Sequence, residues 1–263
     1  YALGEVFRST SRLSEAENAI RRSLEVRQNS LGADNLLTLQ SLQALAEVYS
    51  AQGRSEAAQS MLVRCLEAGK ANLGEEHPDL ASFHRALGVL WAQTQRLDEG
   101  EQALQEALRL VEQISPPHPQ LIPTLEAMGN FYQQLDKLAQ AAPYYSRALD
   151  SMEQTLGPSH LAVADSLLQL GEIQQRQGNV DEAGKLLHRC LEIRSQKLPA
   201  QHAKLAEVRL ALAKLRQIQG KPAEARELYE QALATLWHEQ GQETPQVAEC
   251  LEGLALLELQ EQR

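Results

Sequence analysis

Apolar residues recur along this chain at helical spacing, in runs separated by short breaks. Leu39, Leu42, Leu45, Ala46, Val48 and Tyr49 form one stripe, and Ala57, Ala58, Met61, Leu62, Cys65 and Leu66 form the next, with Gln52-Gly53-Arg54 between them. Positions three and four apart share one face of an α-helix, so each run predicts one amphipathic helix. The same pattern predicts helices over 1–9, 12–30, 36–52, 55–72, 78–94, 98–114, 119–135, 139–155, 161–177, 181–197, 203–219, 223–240 and 245–261. Gly53, Gly178 and Gly220 fall where a helix should stop, because glycine accepts the left-handed backbone of a C-terminal cap. The longer connections carry His77-Pro78, His118-Pro119, Ser159-His160, Gln201-His202 and Thr244-Pro245, where proline suits the opening of a helix.

The pattern repeats every 42 residues, with a single 41-residue step. One column of small residues reads Gly4, Ala46, Gly88, Gly129, Gly171, Ala213 and Ala255. A second reads Ala16, Ala58, Gly100, Ala141, Ala183 and Ala225, and a third Ser23, Cys65, Ala107, Ala148, Cys190 and Ala232, each followed by Leu. One helical pair cannot bury its own apolar stripe; stacked pairs can, and small residues at the crossings let helices approach closely. The expected fold is therefore all-α, one continuous array over 1–263 of about six helix pairs, with the Pro-rich stretch from Ser115 to Pro119 read as a variant turn. The array opens and closes in mid-unit and starts at Tyr1, so the chain is expected to be a fragment truncated at both ends.

Composition narrows the function. Apolar residues reach 43% but aromatics only 4%, so the core must be Leu and Ala, as suits packed helices. A net charge of −10 argues against nucleic acid and against an anionic membrane surface, both of which need clustered Lys and Arg. No apolar run reaches the roughly 18–20 residues of a membrane span. Three scattered cysteines build neither a disulfide framework nor a zinc site, which fits a reducing, cytoplasmic compartment.

The text Leu73-Gly74-Glu75-Glu76-His77-Pro78-Asp79-Leu80-Ala81, the run Gln177-Gly178-Asn179-Val180-Asp181-Glu182-Ala183 and the proline in Ala141-Ala142-Pro143 resemble the 42-residue tetratricopeptide repeats of kinesin light chains. The resemblance spans essentially the whole chain. It implies a right-handed superhelix of antiparallel helix pairs whose first helices line a concave, ligand-holding groove. The polar stripe of those helices supplies the groove candidates: Gln40, Gln43 and Glu47, then Arg85, then Glu126, Asn130 and Gln133. It continues with Asp165, Glu172, Gln175 and Arg176, then Glu207, Lys214 and Gln217. Two departures limit the analogy. The asparagine ladder of kinesin light chains is missing, and so is the Lys/Asn clamp of chaperone-binding relatives.

The stripe is net acidic, which favours a neutral or basic ligand segment through charge complementarity. His77, His118, His160 and His202 recur once per unit and cannot share a metal ion across a whole helix pair, so they read as turn residues. Cys65 and Cys190 stand in an alanine column and read as buried; Cys250, in the last helix, is expected to be more exposed. Trp91 matches Tyr49 and Tyr132 and reads as core, while Trp237 is placed against the turn after its helix. No phosphate-binding glycine loop, activated thiol or carboxylate pair in a pKa-raising setting stands out. The expected function is therefore a non-catalytic scaffold for a protein or peptide, without cofactor or metal. A sensor array of a larger signalling protein and self-assembly through the array ends are the alternatives.

Overall fold

In the computed structural model, residues 2, 6–7, 12–112, 114, 117–240 and 244–261 are described. The expected helix over 1–9 with Gly4, and Ser115 and Pro116 of the Pro-rich stretch, lie largely outside them. The described residues form twelve α-helices and no strand: α1 (Leu13–Leu31), α2 (Leu36–Ala51), α3 (Ser55–Leu73), α4 (Leu80–Gln93), α5 (Leu97–Glu112), α6 (Leu121–Gln134), α7 (Leu138–Leu156), α8 (Leu161–Arg176), α9 (Val180–Lys197), α10 (Ala203–Ile218), α11 (Pro222–Gln240) and α12 (Pro245–Glu261). Pro78 and Pro119 lie in the turns before α4 and α6 rather than inside those helices, as the sequence pattern had placed them. The chain divides into two compact units, Tyr1–Gln134 and Leu135–Arg263.

In the first unit α2 packs with α3 and α4 with α5, and each even-numbered helix also touches the next even-numbered one. Leu and Ala fill this core, with Ala46, Ala58, Leu62 and Leu87 shut off from solvent. A close crossing is that of α4 on α5, where glycine occupies both small columns. A Cβ on Gly88 would lie 2.7 Å from Leu104 Cγ and 2.9 Å from the Gly100 carbonyl oxygen. The second unit repeats the plan, pairing α8 with α9 and α10 with α11 and closing on α12. Its core includes Ala213, Ala225, Tyr229 and Cys250.

Two local devices recur. After the first helix of a pair, Gly53, Gly178 and Gly220 take φ of 78°, 81° and 69°, and the next amide bonds back into the helix. Gln95 and Asp136 hold the same repeat position at φ 64° and 57° without being glycine. Before each first helix stands an acceptor for its free amides. Asn35 Oδ1 accepts from Leu37 N, and Nδ1 of His77, His118, His160 and His202 accepts from the amide two residues on, at 3.1–3.2 Å. Thr244 Oγ1 does the same for Val247 N at 3.3 Å. His160 and His202 are helix caps, each satisfying one of the donors that a helix start leaves open, while His77 and His118 accept from the turn residue just before α4 and α6.

Candidate functional site

The polar stripe of the first helices lies in two separate settings, one in each unit. In the first unit two adjoining cavities open between these helices. One, of about 280 Å³, lies between α2 and α4 and is lined by Glu47, Ser50, Arg85, Val89 and Gln93. The other, of about 300 Å³, lies between α4 and α6 and is lined by Arg85, Val89, Gln93, Glu126, Asn130 and Gln134. Arg85, Val89 and Gln93 belong to both. Of the sequence candidates, Glu47, Arg85, Glu126 and Asn130 therefore come together here. Gln43 is buried beneath and donates to Glu47 Oε1 at 2.9 Å, while Gln40 and Gln133 are half-buried outside the cavity walls. Gln93, Gln134 and Pro123 line the cavities too and were not anticipated. Gln93 and Gln134 share the repeat offset of Arg176, which was the available signal.

Burial raises the Glu126 carboxyl above the ordinary carboxylate range, and the positive charge of Arg85 only partly counters it. Arg85 itself is half-buried. Its Nη2 makes a long 3.4 Å bond to Gln120 Oε1, and its Nε–H is closed off from solvent with no acceptor.

In the second unit the stripe is organised from below by Arg194, a residue of α9 that the sequence reading passed over. Its side chain is 2% exposed. Nη2 donates to Asp165 Oδ1 at 2.9 Å and Nη1 to Glu207 Oε2 at 3.2 Å; Nη1 also donates to the Lys204 carbonyl. Lys204 Nζ adds a 2.7 Å bridge to Asp165. Lys214 on α10 reaches Glu249 on α12 at 2.5 Å. Much of the acidity apparent in the sequence is thus matched internally. Glu172 is the exception. It reaches solvent, yet loss of hydration among its neighbours, reinforced by Glu249 and Glu207, raises its carboxyl above the ordinary range against the pull of Lys214 and Arg194. Arg176 pairs with Asp136 at 2.6 Å, Gln217 accepts from Tyr229 of α11, and Gln175 is half-buried. The signal for Arg194 was its column: its repeat equivalents are Gly69, Val111, Met152 and Leu236, all small or apolar, except Arg27 in α1. Arg27 makes the equivalent reach, donating to the Leu37 carbonyl at 2.7 Å and to Ser41 Oγ at 2.8 Å.

A family model for the tetratricopeptide repeat matches residues 1–71, 79–154, 120–183 and 163–236. The chain belongs to the tetratricopeptide-repeat family. Among curated proteins none matches it. Solved structures of other tetratricopeptide proteins superimpose along most of its length. BtubC (BKLC) from P. vanneervenii is 20% identical with a TM-score of 0.73, over 90% of this chain and 93% of that one. Nearly identical TPR-like repeats of a kinesin light chain candidate from Podosopora anserina are 23% identical, with a TM-score of 0.68 over 77% and 96%. YrrB, a TPR protein with an unusual peptide-binding site, is 15% identical, with a TM-score of 0.54 over 89% and 96%. At these identities the likeness is one of fold. Tetratricopeptide arrays are generally scaffolds, using concave surfaces to bind other proteins.

Cys65, Cys190 and Cys250 are all buried, Cys250 included, contrary to its expected exposure. Burial pushes their thiols up to about 12, 11 and 11, so they stay protonated and poorly nucleophilic. Trp237, expected against a turn, is 46% exposed. Among the described residues no group of three or more His, Cys, Asp and Glu could hold a metal, and no helix is long and apolar enough to cross a membrane.

Proposed function

We propose that this array binds a protein or peptide segment, without catalysis, along the concave face formed by its first helices. The observation that carries the reading is the pair of adjoining cavities in the first unit, which share Arg85, Val89 and Gln93 as a common wall. An extended segment laid across α2, α4 and α6 meets the amides of Gln93, Asn130 and Gln134, which can donate to and accept from a peptide backbone. In the second unit the unmatched charge is Glu172, which favours a neutral or basic side chain there.

Val89 is the residue to test, because it lines both cavities with a side chain that carries no charge. Binders selected from a random peptide library against the intact chain should be lost on Val89→Trp, with the helical circular dichroism and Tm retained. Selected binders that ignore Val89→Trp would place the ligand elsewhere.

One observation favours self-association as a second reading. Leu251, Leu256 and Leu259 of α12 are 45%, 53% and 59% exposed. A sedimentation coefficient that rises with concentration, and no longer does so in Leu251→Lys with Leu256→Lys, would support it; a constant coefficient would dismiss it.

A further inference from the structure

Arg85 sits where the two cavities of the first unit meet, and among the described residues no carboxylate lies within ion-pair contact of it, Glu126 acting on it only from farther off. The shortage is not one of acids in general, since the chain carries 35 Asp and Glu against 25 Lys and Arg. Arg54, Arg96, Arg109, Arg189 and Arg216 each pair with a carboxylate. Arg85 has only its long bond to Gln120, and its sealed Nε–H lacks any acceptor. A buried donor left open is costly until an acceptor arrives, and the acceptor that matches a guanidinium fork is a carboxylate. Because the cavities continue on both sides of Arg85, a segment crossing both would place an interior residue over it. That geometry calls for an Asp or Glu side chain rather than a chain terminus.

A second carboxylate already stands nearby. Glu126 lines the cavity between α4 and α6, and Arg85 of α4 is the charged group acting on it. α5, also packed on α6, contributes Leu104 to the same wall, and Glu47 of α2 lines the neighbouring cavity, held by Gln43. A ligand carboxylate seated on Arg85 would take up the positive charge that now favours ionised Glu126, and would repel that ionised form as well. Both effects drive a proton from solvent onto Glu126.

We propose that Arg85 is the seat for an interior Asp or Glu side chain of the bound segment, and that Glu126 takes up a proton as that side chain arrives. This rests on the groove reading above and assigns the ligand chemistry of its first unit. Binding there strengthens as pH falls from alkaline toward mildly acidic, so long as the ligand carboxylate stays ionised.

The probes are N-acetyl-glutamate N-methylamide and its glutamine counterpart, titrated into the whole isotope-labelled chain at constant ionic strength and followed by NMR. The glutamate probe should shift the Arg85 Nε–H signal saturably, and should bind severalfold more weakly at mildly alkaline than at mildly acidic pH. Arg85→Met, with Tm retained, should abolish the shifts that the glutamate probe causes in the side-chain amides of Gln93 and Asn130, Arg85→Lys should keep part of them, and Glu126→Gln should remove the pH dependence of binding. A silent Arg85, or equal shifts from both probes, overturns the seat; pH-independent binding by the unaltered chain overturns the proton coupling. If Arg85 is silent while the glutamine probe moves the signals of Gln93 and Asn130, the acid seat fails and the groove stands. If neither probe moves any groove residue, both fail.

Discussion

At the residue scale, the loop histidines show how one position can look like chemistry and act as structure. A ring nitrogen that accepts from a helix-start amide does the work of an asparagine or threonine side chain, and Asn35 and Thr244 stand at the same repeat position. His202→Ala should therefore lower stability by about 1 kcal/mol, the usual worth of a cap, while His202→Asn should retain it. Thermal or denaturant unfolding of the two variants makes the comparison. Glu126 gives a pH-dependent case. Its folded-state pKa is raised, so over the range just above the ordinary carboxylate pKa the folded state holds more proton than the unfolded chain. Stability then falls as pH rises through that range. Glu126→Gln lacks this penalty and should unfold at higher temperature than the parent at neutral pH. The difference should close as the pH drops into the ordinary carboxylate range, which parallel Tm measurements against pH would show.

At the element scale, the glycines inside helices do not all do the same thing. Gly88 faces the Gly100 backbone and the branch point of Leu104, neither of which can give way easily. Gly184, also inside a helix, would place a Cβ 3.6 Å from Leu215 Cδ2, an ordinary contact. Gly88→Ala should thus overpack α4 against α5 and destabilise by about 1–3 kcal/mol. Gly184→Ala should stabilise by roughly 0.5–1 kcal/mol, because alanine loses less backbone entropy in a helix. Opposite Tm shifts are expected; a stabilised Gly88→Ala would contradict the close crossing. Helix existence and pairing were legible in the sequence because each helix carries its own apolar period and its own stop. How close α4 and α5 come was not, because that depends on two glycines meeting across them.

At the scale of the whole molecule, repeat arrays are held mainly by contacts between neighbours. Arg194 makes the point. It ties α9 to the first helices on either side, α8 through Asp165 and α10 through Glu207. Arg194→Met should cost about 1–3 kcal/mol, as loss of charge-assisted hydrogen bonds does, and not more, because both carboxylates can turn toward water. Amide exchange should speed up in α8, α9 and α10, with the first unit unchanged. A uniform loss of protection across the chain would mean the units unfold as one.

The sequence by itself determined the all-α repeat class, because periodicity, helix stops and small-residue columns are local patterns read without knowing any contact. It also placed Glu47, Arg85, Glu126 and Asn130 on one polar stripe, since a helix fixes which residues share a face. The tertiary structure alone decided what that stripe can do. Arg194 enters it from another helix and matches Asp165 and Glu207. Gln217 is taken by Tyr229, and Arg85 is left with an open donor between two cavities. Charge counted along a sequence is indifferent to such pairings, because they form between residues of different helices, 12 to 29 positions apart, that meet only when the helices stack.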